Sequence, residues 1–213
     1  MKLTTPAGKV SAVLDEASNQ KAVCVLGHGA GADMRSDYMD TFAQGFCERQ
    51  ISVLRFNFPY MESGKRAPDK QPVLEKAMRA AIEAAREHAG NDPVFAGGKS
   101  MGGRIASHVV ADGVELAGLV FLGYPLHAPG RPDRIRDQHL KSIRAPMLFV
   151  EGTRDPFCPL DTLERVRAKL KNSSVVVIDD GDHSLKVRKS SGRDTSEAWQ
   201  EAIDAASDWM LNV

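Results

Sequence analysis

The residues whose types and spacing could do chemistry lie at three points far apart along the chain. Gly98-Lys99-Ser100-Met101-Gly102 fits G-x-S-x-G, with a short apolar run, Val94–Ala96, before it and a helical pattern from Arg104 to Ala111 after it. That spacing predicts a serine on a strained strand-to-helix turn, its hydroxyl raised over a sheet. Side chains two residues to either side would meet neighbouring backbone, so glycine is needed there. A helix starting at this point also aims its N-terminal dipole at charge developing near Ser100. Two other uses compete. Gly98-Lys99-Ser100 could end a phosphate-binding loop, but G-x-x-x-x-G-K-[ST] puts glycine where Pro93 stands, and proline has no N–H for a phosphate. The glycines could also make only a tight turn, with Ser100 capping the helix. The rest of a catalytic set has to decide.

The second and third points follow later apolar runs. Ala145–Glu151 leads into Gly152-Thr153-Arg154-Asp155-Pro156-Phe157, and Ser174–Ile178 leads into Asp179-Asp180-Gly181-Asp182-His183-Ser184. Taken singly, Asp155 reads as a turn or cap aspartate and His183 as a solvated loop histidine. Their order is more specific. Ser, then Asp, then His, each after its own strand, is the order expected of a nucleophile, an orienting acid and a base on a parallel sheet. Serine is a poor nucleophile until a base takes its proton. The ordinary pKa of histidine suits that task at neutral pH. A carboxylate then holds the imidazole tautomer and stabilises the imidazolium. Asp179, Asp180 and Asp182 compete for the acid position. Asp182 adjoins His183, so its side chain is expected to point away, and Asp155 ranks first.

Acyl transfer also needs donors for an oxyanion. One is expected to be the backbone N–H of Met101. The other is expected from the glycine-rich loop His28-Gly29-Ala30-Gly31, with the N–H of Ala30 favoured. Gly27-x-Gly29-x-x-Ala32 in the same loop also matches a dinucleotide fingerprint. The acidic residue that should close the next strand is missing, since Ile51–Phe58 carries Arg55 and Asn57, and no nucleotide cofactor is expected. His28 reads as a structural residue of the loop. Tyr60, Met61, Tyr124, Leu126 and Phe157 follow strands and could line an acyl or alcohol pocket, with ordinary packing as the alternative. Arg104 reads either as an anchor beneath the site or as a solvated helix arginine. The basic run Arg131–Arg144 reads as a solvated face. His88, His108, His127 and His139 show no metal-ligand spacing.

Positioning these groups needs a scaffold, and the pattern supplies one. Lys2–Thr4 and Lys9–Asp15 read as a hairpin across Pro6-Ala7-Gly8. Apolar runs at Ala22–Leu26, Ile51–Phe58, Val94–Gly97, Leu116–Leu122, Pro146–Glu151 and Ser174–Ile178 alternate with helical patterns at about Ser36–Arg49, Val73–Ala89, Arg104–Ala111, Leu160–Lys171 and Glu197–Leu211. The expected fold is α/β: a three-layer sandwich, with a mostly parallel sheet, an N-terminal antiparallel hairpin and helices on both faces. Sites in such sheets form at the C-terminal strand ends. At 213 residues, one domain over residues 1–213 is expected.

Composition narrows the partners. Lys and Arg number 28, matched by 28 Asp and Glu, which gives no electrostatic footprint for nucleic acid or an anionic membrane. No apolar run approaches the roughly 20 residues of a membrane span. The opening Met1–Pro6 lacks the apolar core of a signal peptide. Cys24, Cys47 and Cys158 are scattered, with no metal spacing, so the expected compartment is reducing and cytoplasmic. No metal or cofactor is called for, and nothing in the chain reports an oligomeric state.

Together, G-K-S-M-G, G-H-G-A-G, G-T-R-D-P and the late G-D-H resemble the α/β-hydrolase superfamily across most of the chain. L-G-H-G-A-G, R-F-N-F-P-Y (Arg55–Tyr60), G-G-K-S-M-G-G-R and G-Y-P-L-H (Gly123–His127) are similar, more narrowly, to a small branch related to dienelactone hydrolases that includes testis-expressed Tex-type proteins. The resemblance implies the α/β-hydrolase fold, the Ser100–Asp155–His183 set and the oxyanion arrangement. Dienelactone hydrolases use a cysteine nucleophile where this chain has Ser100, so their substrate does not carry over. The short segment from Leu122 to Pro146 leaves little room for a large lid and favours an open cleft. The expected activity is a cofactor-free serine hydrolase acting through an acyl-enzyme on a small ester or thioester. A non-catalytic scaffold on the same fold is the alternative, and a perhydrolase or C–C bond hydrolase a third.

Overall fold

The computed structural model describes all 213 residues. Eight strands form one sheet in the order β1-β2-β4-β3-β5-β6-β7-β8. β1 (Lys2–Thr5) and β2 (Gly8–Asp15) make the N-terminal hairpin, turning at Gly8 with φ 111°. β2 runs antiparallel to β4 (Ile51–Phe56), and β3 (Ala22–Gly27), β4, β5 (Val94–Lys99), β6 (Gly118–Leu122), β7 (Met147–Gly152) and β8 (Ser173–Ile178) are mutually parallel. β3, β4, β6 and β7 are buried end to end, including Ser52 and Arg55 on β4 and Glu151 on β7, because helices cover both faces of those strands. β8 lies at the edge, and its burial is patchy.

α1 (Asp37–Glu48) and α6 (Thr195–Asn212) cover one face, where Met39, Phe42, Phe46 and Ile203 pack with Leu26, Val120 and Val150. α3 (Gln71–Ala89), α4 (Met101–Ala111) and α5 (Leu160–Arg167) cover the other, over Phe56, Phe121 and Phe149. Burying each such side chain contributes about 1.5–3 kcal/mol. No helix is long and apolar enough to cross a membrane.

Several boundaries move from those the pattern predicts. β4 stops at Phe56 because Pro59 opens α2 (Pro59–Glu62), a single turn with proline at its first position. α3 starts at Gln71, ahead of Val73, again with proline in the first turn. α5 ends at Arg167, short of Lys171. The basic run is not simply a solvated face: Asp137, Leu140 and Ile143 are buried, and Gln138–Ser142 forms a short 3-10 helix.

The topology fixes where a site can form. From β3 the chain goes to β4 on one side, then returns to β5 on the other side of β3 and continues outward to β8. The crevice at this reversal lies between the loop after β3 and the turn after β5.

Candidate active site

At that crevice Ser100 is the residue between β5 and α4, with φ 51° and ψ −110°. A non-glycine residue in this region is strained by about 1–3 kcal/mol. Its surroundings enforce the conformation. A Cβ at Gly98 would lie 2.0 Å from the Gly27 carbonyl oxygen, and one at Gly102 would lie 2.1 Å from the same atom. Strand β5 and helix α4 thus both close on one carbonyl of β3, and the turn between them has no room to relax. The Ser100 N–H donates to the Leu122 carbonyl at 3.1 Å, fixing the turn against β6.

His183 Nε2 lies 2.8 Å from Ser100 Oγ, and His183 Nδ1 lies 2.7 Å from Asp155 Oδ2. Asp155 is supplied by the turn after β7, and its side chain is fully buried against 22% exposure for His183. Its other oxygen accepts the Phe157 N–H at 2.8 Å, so both carboxylate oxygens are aimed. The loops after β7 and β8 are tied together: Arg154 N–H donates to Gly181 O at 2.8 Å, and Asp180 N–H to Thr153 Oγ1 at 2.8 Å. Asp182 turns away as its position beside His183 predicts, accepting the N–H groups of Ser184 and Lys186. The Phe157 ring packs edge-on against the imidazole at 4.7 Å. With Nδ1–H donated to the carboxylate, Nε2 is left to accept the Ser100 hydroxyl proton. This arrangement can generate an alkoxide-like nucleophile at neutral pH.

Two supporting residues carry no motif signal. Lys99 Nζ donates to the His183 carbonyl. Burial, opposed by the charges of Asp155, Glu151 and Asp182, brings its ammonium down to about 8. Glu151 on β7 is fully buried. Burial, reinforced by the charge of Asp155, holds its carboxyl well above the usual range, while Oε1 accepts the Tyr124 N–H at 2.6 Å. Glu151 ends a run that reads as strand and Lys99 fills a variable position of G-x-S-x-G, and nothing local distinguishes either from a core-edge residue.

The loop after β3 brings Ala30 to the same cleft as Met101. Ala30 N–H has no partner within the chain, and Met101 N–H opens α4, where the helix leaves donors free. Arg55-Phe56-Asn57-Phe58 braces this loop. Arg55 Nη1 donates to Met34 O at 2.7 Å, Asn57 Oδ1 accepts Met34 N–H at 3.0 Å, and Phe58 N–H donates to His28 Nε2 at 3.1 Å. His28 Nδ1 meets Gly29 O at 2.8 Å, and burial lowers the pKa of the ring, so His28 is a neutral structural residue of the loop. Arg55 also pairs with Asp15 and Asp40.

The cleft encloses about 550 Å³ beside Ser100 and His183. Of the five side chains expected to line it, only Phe157 does, and Met61 packs partly buried against the core. Tyr60, Tyr124 and Leu126 are buried in the core beneath the α3–α4 layer. The Tyr124 hydroxyl is spent on Ser107 and His139, at 3.1 and 3.2 Å. The Tyr60 hydroxyl accepts Gly31 N–H at 3.3 Å and so steadies the loop instead. Arg104, left open between anchor and solvated residue, lines the cleft, as do Arg136, Asp69 and His127.

The fold and the strand-end arrangement define a class, and the family comparison agrees. Residues 20–211 match the family described as alpha/beta hydrolase domain, and the chain belongs to that family. Among solved structures it is similar to a serine hydrolase without a lid from Xanthomonas campestris, at 18% identity and a TM-score of 0.78, over 100% of this chain and 94% of that one. It is also similar to Est1E from Butyrivibrio proteoclasticus, solved with ferulic acid, at 16% identity and a TM-score of 0.79, over 99% and 98% of the two chains. A dienelactone hydrolase from Anabaena variabilis matches at 18% identity and a TM-score of 0.78, over 99% and 95%. At these identities the likeness is one of fold, and it assigns no narrower branch.

Proposed function

We propose that the protein is a serine hydrolase that cleaves a small ester or thioester through an acyl-enzyme. The observation that carries this reading is the continuous chain of two hydrogen bonds, 2.8 Å from Ser100 Oγ to His183 and 2.7 Å from His183 to Asp155. Ser100 Oγ bonds to the substrate carbonyl carbon while His183 Nε2 takes its proton. The resulting oxyanion sits between the N–H groups of Met101 and Ala30. His183 then returns the proton to the leaving alcohol or thiol as that bond breaks. Water attacks the acyl-Ser100 carbonyl, giving its proton to His183. The acid departs as the carbonyl–Oγ bond breaks and the proton returns to Ser100. An open cleft without a lid favours small substrates.

A scaffold role on the same fold is the second reading. Against it stands an intact Ser–His–Asp chain on a strained turn, which a scaffold has no use for. A fluorophosphonate probe separates the two. The expected result is labelling of the native protein and none of Ser100→Ala. Folded native protein that resists labelling and turns over neither p-nitrophenyl esters nor acyl thioesters would overturn the enzyme reading. A panel of both substrate types measures the preference between ester and thioester.

A further inference from the structure

The cleft beside Ser100 holds two guanidinium groups that pair with no carboxylate. Arg104 rises from the first turn of α4 and Arg136 comes from the segment between β6 and β7, and both line the same cavity. Neither forms an ion pair anywhere in the chain, whereas Arg49, Arg55, Arg79, Arg154, Arg188 and Arg193 all do.

Arg104 is held by neutral partners. Its Nη1 lies 3.3 Å from Gln71 Oε1 and 3.1 Å from His108 Nε2, leaving Nε and Nη2 without contacts. The nearest acid on α3, Glu75, is engaged with the Gln71 amide at 2.7 Å. His108 stacks on His139 at 3.7 Å. Burial, together with Arg104 for His108 and with His108 and Arg104 for His139, lowers both imidazoles, His139 to about 3. That pair therefore adds no charge. The Arg136 side chain makes no hydrogen bond or ion pair, and its charge opposes that of Arg104. The one acid lining the cleft is Asp69, set against Lys99, Arg104 and Arg136. Lys99 is turned to the His183 carbonyl, so the unspent positive charge belongs to the two arginines.

A partly buried guanidinium with free donors, sharing a cavity with a like charge, is stabilised by an anion with paired oxygens. We propose that the substrate of this site carries an anionic group, a carboxylate or a phosphate, which Arg104 and Arg136 bind while Ser100 attacks its ester or thioester carbonyl. The inference rests on the hydrolase reading for the second half of that statement only.

Two probes differ by a single group: mono-p-nitrophenyl glutarate carries a carboxylate where p-nitrophenyl pentanoate carries a methyl. The native protein is expected to prefer the glutarate ester by about tenfold or more in kcat/KM, and added salt should erode the preference. Arg104→Gln and Arg136→Gln should each lower that ratio about tenfold. Arg136→Gln breaks no hydrogen bond or ion pair, so it keeps the test open if Arg104→Gln folds poorly. Calorimetric titration of Ser100→Ala with phenyl phosphate, phenylacetate and benzyl alcohol reads the cavity without turnover. Tighter binding of phenyl phosphate points to a phosphate-bearing substrate, and tighter binding of phenylacetate to a carboxylate. Pentanoate turned over as well as glutarate, with both arginine variants keeping the same ratio, sinks the anion site and leaves the hydrolase. Neither ester turned over, with anion binding intact, sinks the hydrolase and leaves the anion site. Benzyl alcohol bound as tightly as both anions overturns the proposal.

Discussion

Replacing Lys99 by methionine tests how the base is held. The Lys99 ammonium lies under the loop that carries His183, donates to its carbonyl and stands 5.9 Å from the centre of the Tyr38 ring. Burial outweighs the surrounding carboxylates and brings its pKa from 10.5 to about 8. Between those two values the unfolded chain keeps a proton that the folded chain has released. The native protein therefore gains stability as pH rises from about 8 toward 10.5, and below about 8 it bears the full cost of a buried charge. That cost is about 3 kcal/mol, from 1.36 kcal/mol for each pH unit of the difference. Lys99→Met removes it. The stability of the variant minus that of the native protein should then fall by about 3 kcal/mol between about pH 7 and pH 10.5. Urea unfolding followed by tryptophan fluorescence at four pH values measures this, since Trp199 Nε1–H donates to Ser184 O beside the His183 loop. A difference that is flat with pH, or that grows, would refute the argument. The same variant should lose kcat more than it gains KM, because the His183 carbonyl loses its donor while the cleft walls stay in place.

Three other substitutions probe separate links. Asp155→Asn should keep the fold but cut kcat by about 10³–10⁴, because an amide cannot hold His183 in the tautomer that frees Nε2; steady-state kinetics with a p-nitrophenyl ester reads it, and less than a tenfold loss would argue against the assigned role. Gly102→Ala places a Cβ 2.1 Å from the Gly27 carbonyl oxygen, where the atoms it meets are all backbone, and should destabilise by about 3 kcal/mol or more in a denaturation titration. Arg55→Met strands Asp15 and Asp40 and frees Met34, so it should cost about 3 kcal/mol, or roughly 6–12 °C in Tm, and lower activity through the Ala30 loop; unchanged melting would show that the ion pairs at Arg55 do not brace the loop.

Much of the scaffold and the nucleophile turn could be read locally. Continuous apolar strands alternating with amphipathic helices report a sheet covered on both faces, because a strand buried on both sides has no polar positions to spare. The glycines around Ser100 report a close approach, since only a residue without Cβ tolerates a carbonyl at that distance. The chain order of serine, aspartate and histidine, each after its own strand, points to one crevice. Element ends were less legible. Pro59 directly follows the Ile51–Phe58 run and Pro72 directly precedes the Val73–Ala89 pattern, yet proline is equally at home in the first turn of a helix, and that is where both stand.

Which face a strand-end side chain takes is set by what packs against it from elsewhere. Tyr60, Tyr124, Leu126 and Phe157 look alike as apolar residues after strands, and packing under α3 and α4 claims three of them for the core while leaving Phe157 against the imidazole. Lys99 meets His183 across 84 positions of chain, a contact no local pattern encodes. Arg104 and Arg136 share a cleft only because α4 and the β6–β7 segment are brought over the same strand ends. Local spacing can specify which groups a chain possesses and the turn each stands on. Their distances, their burial and the charges left without partners arise from long-range packing, which exists only once the sheet and its two helical layers have closed.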